Sequence, residues 1–129
     1  MFGIMILSGL LSTMSIWADK FDDVRFSLND VYMILLMTGW MYFFTGLFDK
    51  NWSTLAFGAI LAVVSFWCIR TQFLISPTQF LTGMIPHHSM AVHMSRKLLE
   101  RGPSELSAFA KTIVDQQEKE IRFMKAAVQ

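Results

Sequence analysis

The chain has 129 residues, of which 53% are hydrophobic and 16% charged, with a formal net charge of +1. A single compact unit is expected at this length, and the excess of apolar over charged residues fits a membrane protein better than a water-soluble domain. No global field favours nucleic acid or an acidic substrate, and the one cysteine, Cys68, has no internal disulfide partner and sits in an apolar run.

Met1 to Trp17 is uncharged and mostly apolar. That run is about the minimum for a bilayer span, near 17 residues. A cleaved signal peptide would want a basic start and a small-residue cleavage site, but the first basic residue is Lys20 and no A-x-A pattern lies near Trp17. A retained helix is therefore expected. Ala18 to Asp30 forms a polar loop with Asp19, Lys20, Asp22, Asp23, Arg25 and Asp30, and Val31 to Phe48 is a second uncharged run. Asp49-Lys50-Asn51 is short enough only for a hairpin turn, and Trp52 to Ile69 is a third run, closed by Arg70. Backbone in hydrocarbon must satisfy its own hydrogen bonds, so the pattern predicts three transmembrane helices. In the second run Met33, Met37 and Met41 recur every four residues and share a helix face. Such a face is either a thioether ladder for copper(I) or ordinary packing by an adaptable side chain.

Beyond the third run the signals change. Ser76 is a helix N-cap, Pro77 suits the first turn, and Gln79 stands where a capping box wants Glu or Gln. This helix is expected to reach about Arg101, where Gly102-Pro103 stops it. A second helix follows from about Ser104 to Ala127. The expected domains are an anchor over 1–75 and a helical hairpin over 76–129. A hairpin of roughly 50 residues is too small to bury a good core alone, so pairing with a second copy is expected.

The stretch Met84 to Met94 holds all three histidines and three of the ten methionines. Thioether and imidazole donors suit copper(I) and disfavour hard cations. At 100° per residue His87, Met90, Ala91, Met94 and Leu98 share one face, which is expected to point inward; Met84 and His88 lie at its edge and His93 points elsewhere. On the second helix Leu106, Phe109, Ala110, Ile113, Gln117, Glu120, Met124 and Ala127 form the facing stripe. A carboxylate on such a stripe is costly unless paired or metal-bound. Glu120 is thus a ligand, an acceptor for a histidine N–H, or a partner for a cation. The methionines serve as ligands or as core. Pro86 either kinks the first helix or breaks it. No nucleophile–base pair, phosphate loop or H-E-x-x-H motif is present, and no enzyme activity is expected. The basic residues of the hairpin alternate with acids and suit a solvated face or one near anionic headgroups, not a nucleic-acid stripe.

Phe80-x3-Met84-Ile85-Pro86-His87-His88-x-Met90-Ala91, followed by Ala110-x2-Ile113 and Gln117-x2-Glu120-Ile121-x2-Met124, resembles the domain-of-unknown-function 305 family over residues 77–127. The first 75 residues are similar to a bacterial subgroup with three membrane spans before the domain. The resemblance implies a ferritin-like helical fold, a role in copper and silver handling, and His87, His88, Met84, Met90 and Met124 as ligands, with Gln117 and Glu120 close by. His93 departs from the family pattern, and so does the weakly basic turn at Lys50. The charges nearest the spans slightly favour a cytoplasmic hairpin, whereas the resemblance implies an extracytoplasmic one, on the periplasmic side, which is the expectation adopted.

The sequence therefore predicts an all-α membrane protein in which three transmembrane helices carry a hairpin that dimerises into a four-helix bundle. The hairpin is expected to hold copper(I), or silver, for sequestration or hand-off, with His87, His88, Met84, Met90, Met94, Glu120 and Met124 as candidate ligands. The expected partners are the lipid bilayer and a second copy of the chain. The alternatives are a copper-conducting oligomer lined by Met33, Met37 and Met41, and a non-catalytic subunit of a larger membrane complex.

Overall fold

A computed structural model describes residues 1–128, so Gln129, the last residue of the expected hairpin domain, lies outside it. The helices are α1 (Phe2–Leu10), α2 (Leu28–Phe48), α3 (Trp52–Thr71), α4 (Pro77–Glu100) and α5 (Ser107–Ala127), with two 3-10 turns, Met14–Trp17 and Phe21–Asp23, between α1 and α2. No strand occurs among the described residues. The chain forms two compact units: Met1–Thr13 with Leu28–Ile75, and Met14–Ser27 with the chain from Ser76 onward.

In the first unit α2 and α3 form an antiparallel hairpin. The turn between them uses Lys50 in the left-handed region (φ 53°) and Asn51 as N-cap, its side chain accepting from the Thr54 N–H at 3.2 Å. The open end is tied by the side-chain amides of Asn29 and Gln72, which exchange hydrogen bonds of 3.1 and 3.2 Å, and by the Tyr32 hydroxyl, which donates to the Phe73 carbonyl. Small residues let the helices touch backbone to backbone. A Cβ added at Gly39 would stand 2.6 Å from the Ala62 nitrogen, and Gly46 and Gly58 are equally crowded. Gly58-x3-Ala62 is thus a small-residue packing pair of the kind that draws helices together in lipid.

Both α2 and α3 are long and apolar enough to cross a membrane. Most of their surface is not covered by the rest of the chain: Ile60 is 64% and Val63 68% exposed. The first of the three expected spans, Met1 to Trp17, does not form as a membrane-length helix. The helix in the first run stops at Leu10, nine residues from its start, a length of about 14 Å against a hydrocarbon core of about 30 Å. Ser12, Thr13 and Ser15 follow it, and their hydroxyls compete for backbone partners. Ser15 shows the outcome: its Oγ donates to the Arg25 carbonyl at 2.6 Å and accepts from the Arg25 N–H at 3.1 Å, which closes Met14–Ser27 into a compact loop.

In the second unit α4 starts as its sequence dictates, with Ser76 Oγ accepting from the Gln79 N–H at 3.1 Å. The helix ends before Gly102, whose φ of 106° only glycine adopts readily. The second helix begins at Ser107, later than Ser104. The intervening residues form a local turn in which Ser107 Oγ accepts from the Ser104 N–H at 2.9 Å. Pro86 does not break α4, which runs through it, and the proline ring is fully buried.

The hairpin core is Ile85 and Val92 of α4 against Val114, Ile121 and Met124 of α5, with Leu81, Met84 and Val128 packed at its margin. The expected inward face of α4 is therefore corrected. Ile85, Ser89 and Val92 point in, while His87 and Met94 are exposed. On α5 the buried residues are Ala110, Val114, Ile121 and Met124, and Leu106 and Phe109 are more than half exposed. Each stripe is rotated from the expected one because a second element packs on α4. That element is Met14–Ser27, through both of its 3-10 turns.

Candidate functional site

The two long sides of the hairpin differ in chemistry. One side carries the Met14–Ser27 segment, held by a buried polar cluster. Ser89 is completely buried and donates from Oγ to Asp23 Oδ2 at 2.6 Å, while accepting from the Asp19 N–H at 2.8 Å. Arg96 spans Asp19 and Glu118, with Nε 3.3 Å from Asp19 Oδ2. Lys125 reaches from α5 to Asp22 Oδ2 at 2.8 Å and to Asp23, whose carboxylate is nearly inaccessible to water. A buried carboxylate is tolerable only with such partners. Burial alone would lower the Lys125 pKa, but its hydrogen bonds and charge pairing with Asp22 and Asp23 outweigh that and raise it. The same hydrogen bond and charge from Lys125 lower the Asp22 pKa. A cavity of about 110 Å³ remains between the segment and the helices, lined by Asp19, Asp23, Glu118 and Lys125 among others.

The opposite side carries the histidines. His88 is largely covered, with 14% of its side chain exposed, and its Nδ1 lies 2.8 Å from Glu120 Oε2 across the hairpin. The two groups approach at contact distance without the alignment of an ideal hydrogen bond. The other Glu120 oxygen, Oε1, accepts from Gln116 Nε2 at 2.8 Å, one helical turn earlier. Burial is the largest influence on His88 and lowers its pKa below the ordinary 6.5; the Glu120 charge opposes this and His87 reinforces it, leaving a net lowering. The imidazole is thus neutral at neutral pH, the form that coordinates metals. His87 stands beside it, exposed, with ring centroids 6.3 Å apart.

Of the other candidate ligands, Met84 is half-buried at the edge of the core on the His88 side, Met90 is half-buried, and Met94 is exposed. Met124 lies inside the apolar core with Ile85, Val92, Val114 and Ile121. One chain therefore brings together His88, Glu120 and His87, with Met84 close along the same face of α4. Among the described residues no group of three or more His, Cys, Asp or Glu side chains is arranged so that it could hold a metal ion by itself. In the first unit Met33, Met37 and Met41 are 41–49% exposed.

Sequence reasoning missed Ser89, Asp23, Arg96, Lys125 and Gln116. One signal was available: Ile85, Ser89, Val92 and Arg96 recur at steps of four, three and four, an inward stripe disguised by two polar members. A concentration of aspartates at 19, 22 and 23 was its counterpart.

The model of a domain of unknown function, DUF305, matches residues 76–128, which comprise α4, α5 and the turn between them. The chain is also 38% identical over 124 residues to the uncharacterized protein L153 of Acanthamoeba polyphaga mimivirus, covering 92% of this chain and 82% of that protein. That likeness necessarily runs through the first unit as well. No solved structure matches. A domain match over the hairpin and a likeness to L153 that covers most of both chains lead to one conclusion: the chain belongs to the DUF305 family.

Proposed function

We propose that this protein is a membrane-anchored metal-binding protein that holds copper(I), or silver in its place, through the His and Met side chains of α4, for sequestration or hand-off. The observation that carries the reading is the side of α4 turned away from its core stripe. Met84, His87, His88 and Met94 lie along it around the small Ala91, with His88 neutral and faced by Glu120. Soft thioethers with neutral imidazole are the donor set that copper(I) prefers. Met124 belongs to the core.

The membrane anchor is the α2–α3 hairpin. Its exposed Ile, Val and Phe side chains would each cost on the order of 1–3 kcal/mol in water and nothing in lipid. Two crossings return the chain to the side it left, so Met14–Ser27 and the hairpin share one face of the membrane, taken here as the extracytoplasmic one. The donor-bearing side of the hairpin is also apolar, with Phe80 half exposed and Phe109 63% exposed. Pairing of two chains along it would bury these residues, complete a ferritin-like four-helix bundle and add a second set of donors.

The test is a copper(I) titration of the full chain in detergent micelles against a competing chelator. The His87→Ala/His88→Ala/Met90→Leu variant is expected to lose more affinity than the roughly 10- to 100-fold that removal of an outer partner costs. Equal affinity in the two proteins refutes the reading. A second reading, a copper-conducting oligomer, is favoured by one observation, the exposed Met33, Met37 and Met41. Unchanged copper uptake in a Met37→Leu/Met41→Leu variant refutes that one.

A further inference from the structure

The donor-bearing side contains a group whose place is explained neither by core packing nor by direct coordination. Glu120 emerges from α5 half-exposed: Oε1 accepts a hydrogen bond from Gln116 Nε2 at 2.8 Å, and Oε2 lies 2.8 Å from His88 Nδ1, in contact but outside hydrogen-bond alignment. Gln116 lies one turn back on the same helix, so α5 itself fixes the carboxylate. An anionic carboxylate is an acceptor only. It cannot donate to an imidazole, so the nitrogen that faces it at this distance must carry the proton.

The geometry points to Glu120 as the positioning residue of the site: held by Gln116, it selects the Nδ1–H tautomer of His88 and leaves the Nε2 lone pair free for a soft metal. This rests on the metal-binding reading only for the last step; the choice of tautomer is a property of the metal-free chain. The choice is not trivial, because which nitrogen is protonated is set by the hydrogen bond that the other makes. The carboxylate–histidine pairing also fixes ring orientation and raises donor basicity, as outer partners do in metal sites generally. His87, by contrast, is exposed. The two adjacent histidines are therefore unequal: His88 is held against a carboxylate, and His87 is exposed.

The test uses the full chain in detergent micelles, labelled with ¹⁵N-histidine and free of metal, at a pH where His88 is neutral. Two-bond ¹H–¹⁵N correlations report which ring nitrogen is protonated. The expected result is Nδ1–H at His88. In Glu120→Ala the pattern should switch to Nε2–H or to rapid exchange, whereas Glu120→Gln, whose amide oxygen still accepts, should retain Nδ1–H. Unmoved His93 signals in each variant confirm an intact hairpin. Nε2–H at His88 in the parent chain, or no change in Glu120→Ala, overturns the proposal. Copper(I) titration of the same samples separates the two claims. The parent should bind about 10- to 100-fold more tightly than Glu120→Ala. A parent chain with the expected tautomer that binds no copper(I) refutes the metal reading and upholds the role of Glu120.

Discussion

Replacing Ser89 by Ala should release the Met14–Ser27 segment from the hairpin while leaving the hairpin folded. The hydroxyl is completely buried, donates to the carboxylate of Asp23 at 2.6 Å and accepts from the Asp19 N–H at 2.8 Å. A hydrogen bond to a charged group contributes about 1.5–3 kcal/mol, and the second bond about 1 kcal/mol because Asp19 is only half-buried. Alanine also leaves the Asp23 carboxylate, 3% exposed, with Lys125 as its remaining partner. The combined loss is roughly 2–4 kcal/mol, which at 1.4 kcal/mol per decade is a roughly 30- to 700-fold rise in the open population of the segment. Amide hydrogen exchange in micelles reads this directly, since it measures local opening. Protection at Asp19 and Asp23 should fall by that factor, while Val114 and Ile121 in the middle of α5 stay within a few-fold of the parent. A further arm tests the bond itself. Residues sharing one interaction are non-additive, so Ser89→Ala introduced into Asp23→Asn should cost much less than it does alone. Unaltered protection of the segment in Ser89→Ala would refute the reasoning, because no other contact of that side chain could replace the two bonds.

The remaining expectations concern charge, packing and backbone. The Lys125 link to Asp22 should hold between the two pKa values that define it. Asp22 is lowered from 3.8, so its contribution is present above that pH and lost as the pH falls through the lowered value; Lys125 is raised from 10.5, so its contribution is present below that pH and lost as the pH rises past the raised value. Fluorescence of a chain retaining Trp17 as its sole tryptophan should report release of the segment at both extremes and a plateau between. Because His88 is lowered from 6.5, the unfolded chain takes up its proton first as the pH falls below that value, and the hairpin loses stability there. Melting curves at pH 7.5 and 5.5 should show that loss, and His88→Gln should reduce the difference. Gly39→Leu should destabilise the α2–α3 pair by at least about 1–3 kcal/mol, since even its Cβ would meet Ala62 backbone at 2.6 Å, and thermal melting in micelles checks it. Gly102→Ala meets no neighbour within 4 Å, so its expected cost of about 1 kcal/mol or more comes from the φ of 106° alone.

How far this protein is legible from its sequence depends on the range of the forces concerned. Ser76-Pro77 and Gly102-Pro103 bound α4 through capping and proline chemistry that act within a few residues, and the α2–α3 turn at Lys50-Asn51 follows from the same local rules. The concentration of His and Met on α4, and the family, were also evident from residues 77–127 alone. Three features were not. The first run looks long enough to span a bilayer by composition, yet its helix ends at Leu10, because Ser15 makes its bonds with Arg25, ten residues on. The inward face of α4 could not be chosen from periodicity, since two stripes compete: one with Met84, His87, Ala91, Met94 and Leu98, the other with Ile85, Ser89, Val92 and Arg96. The first is the more apolar, and the second wins because Ser89 and Arg96 find partners in Asp19 and Asp23, about 70 residues earlier in the chain. The role of Glu120 turned on the same question, because only the folded hairpin puts its carboxylate against His88 and not against a cation. Local sequence determined where the helices begin and end; tertiary structure decided which face of each is buried, because burying a polar side chain is affordable only when a distant partner arrives to satisfy it.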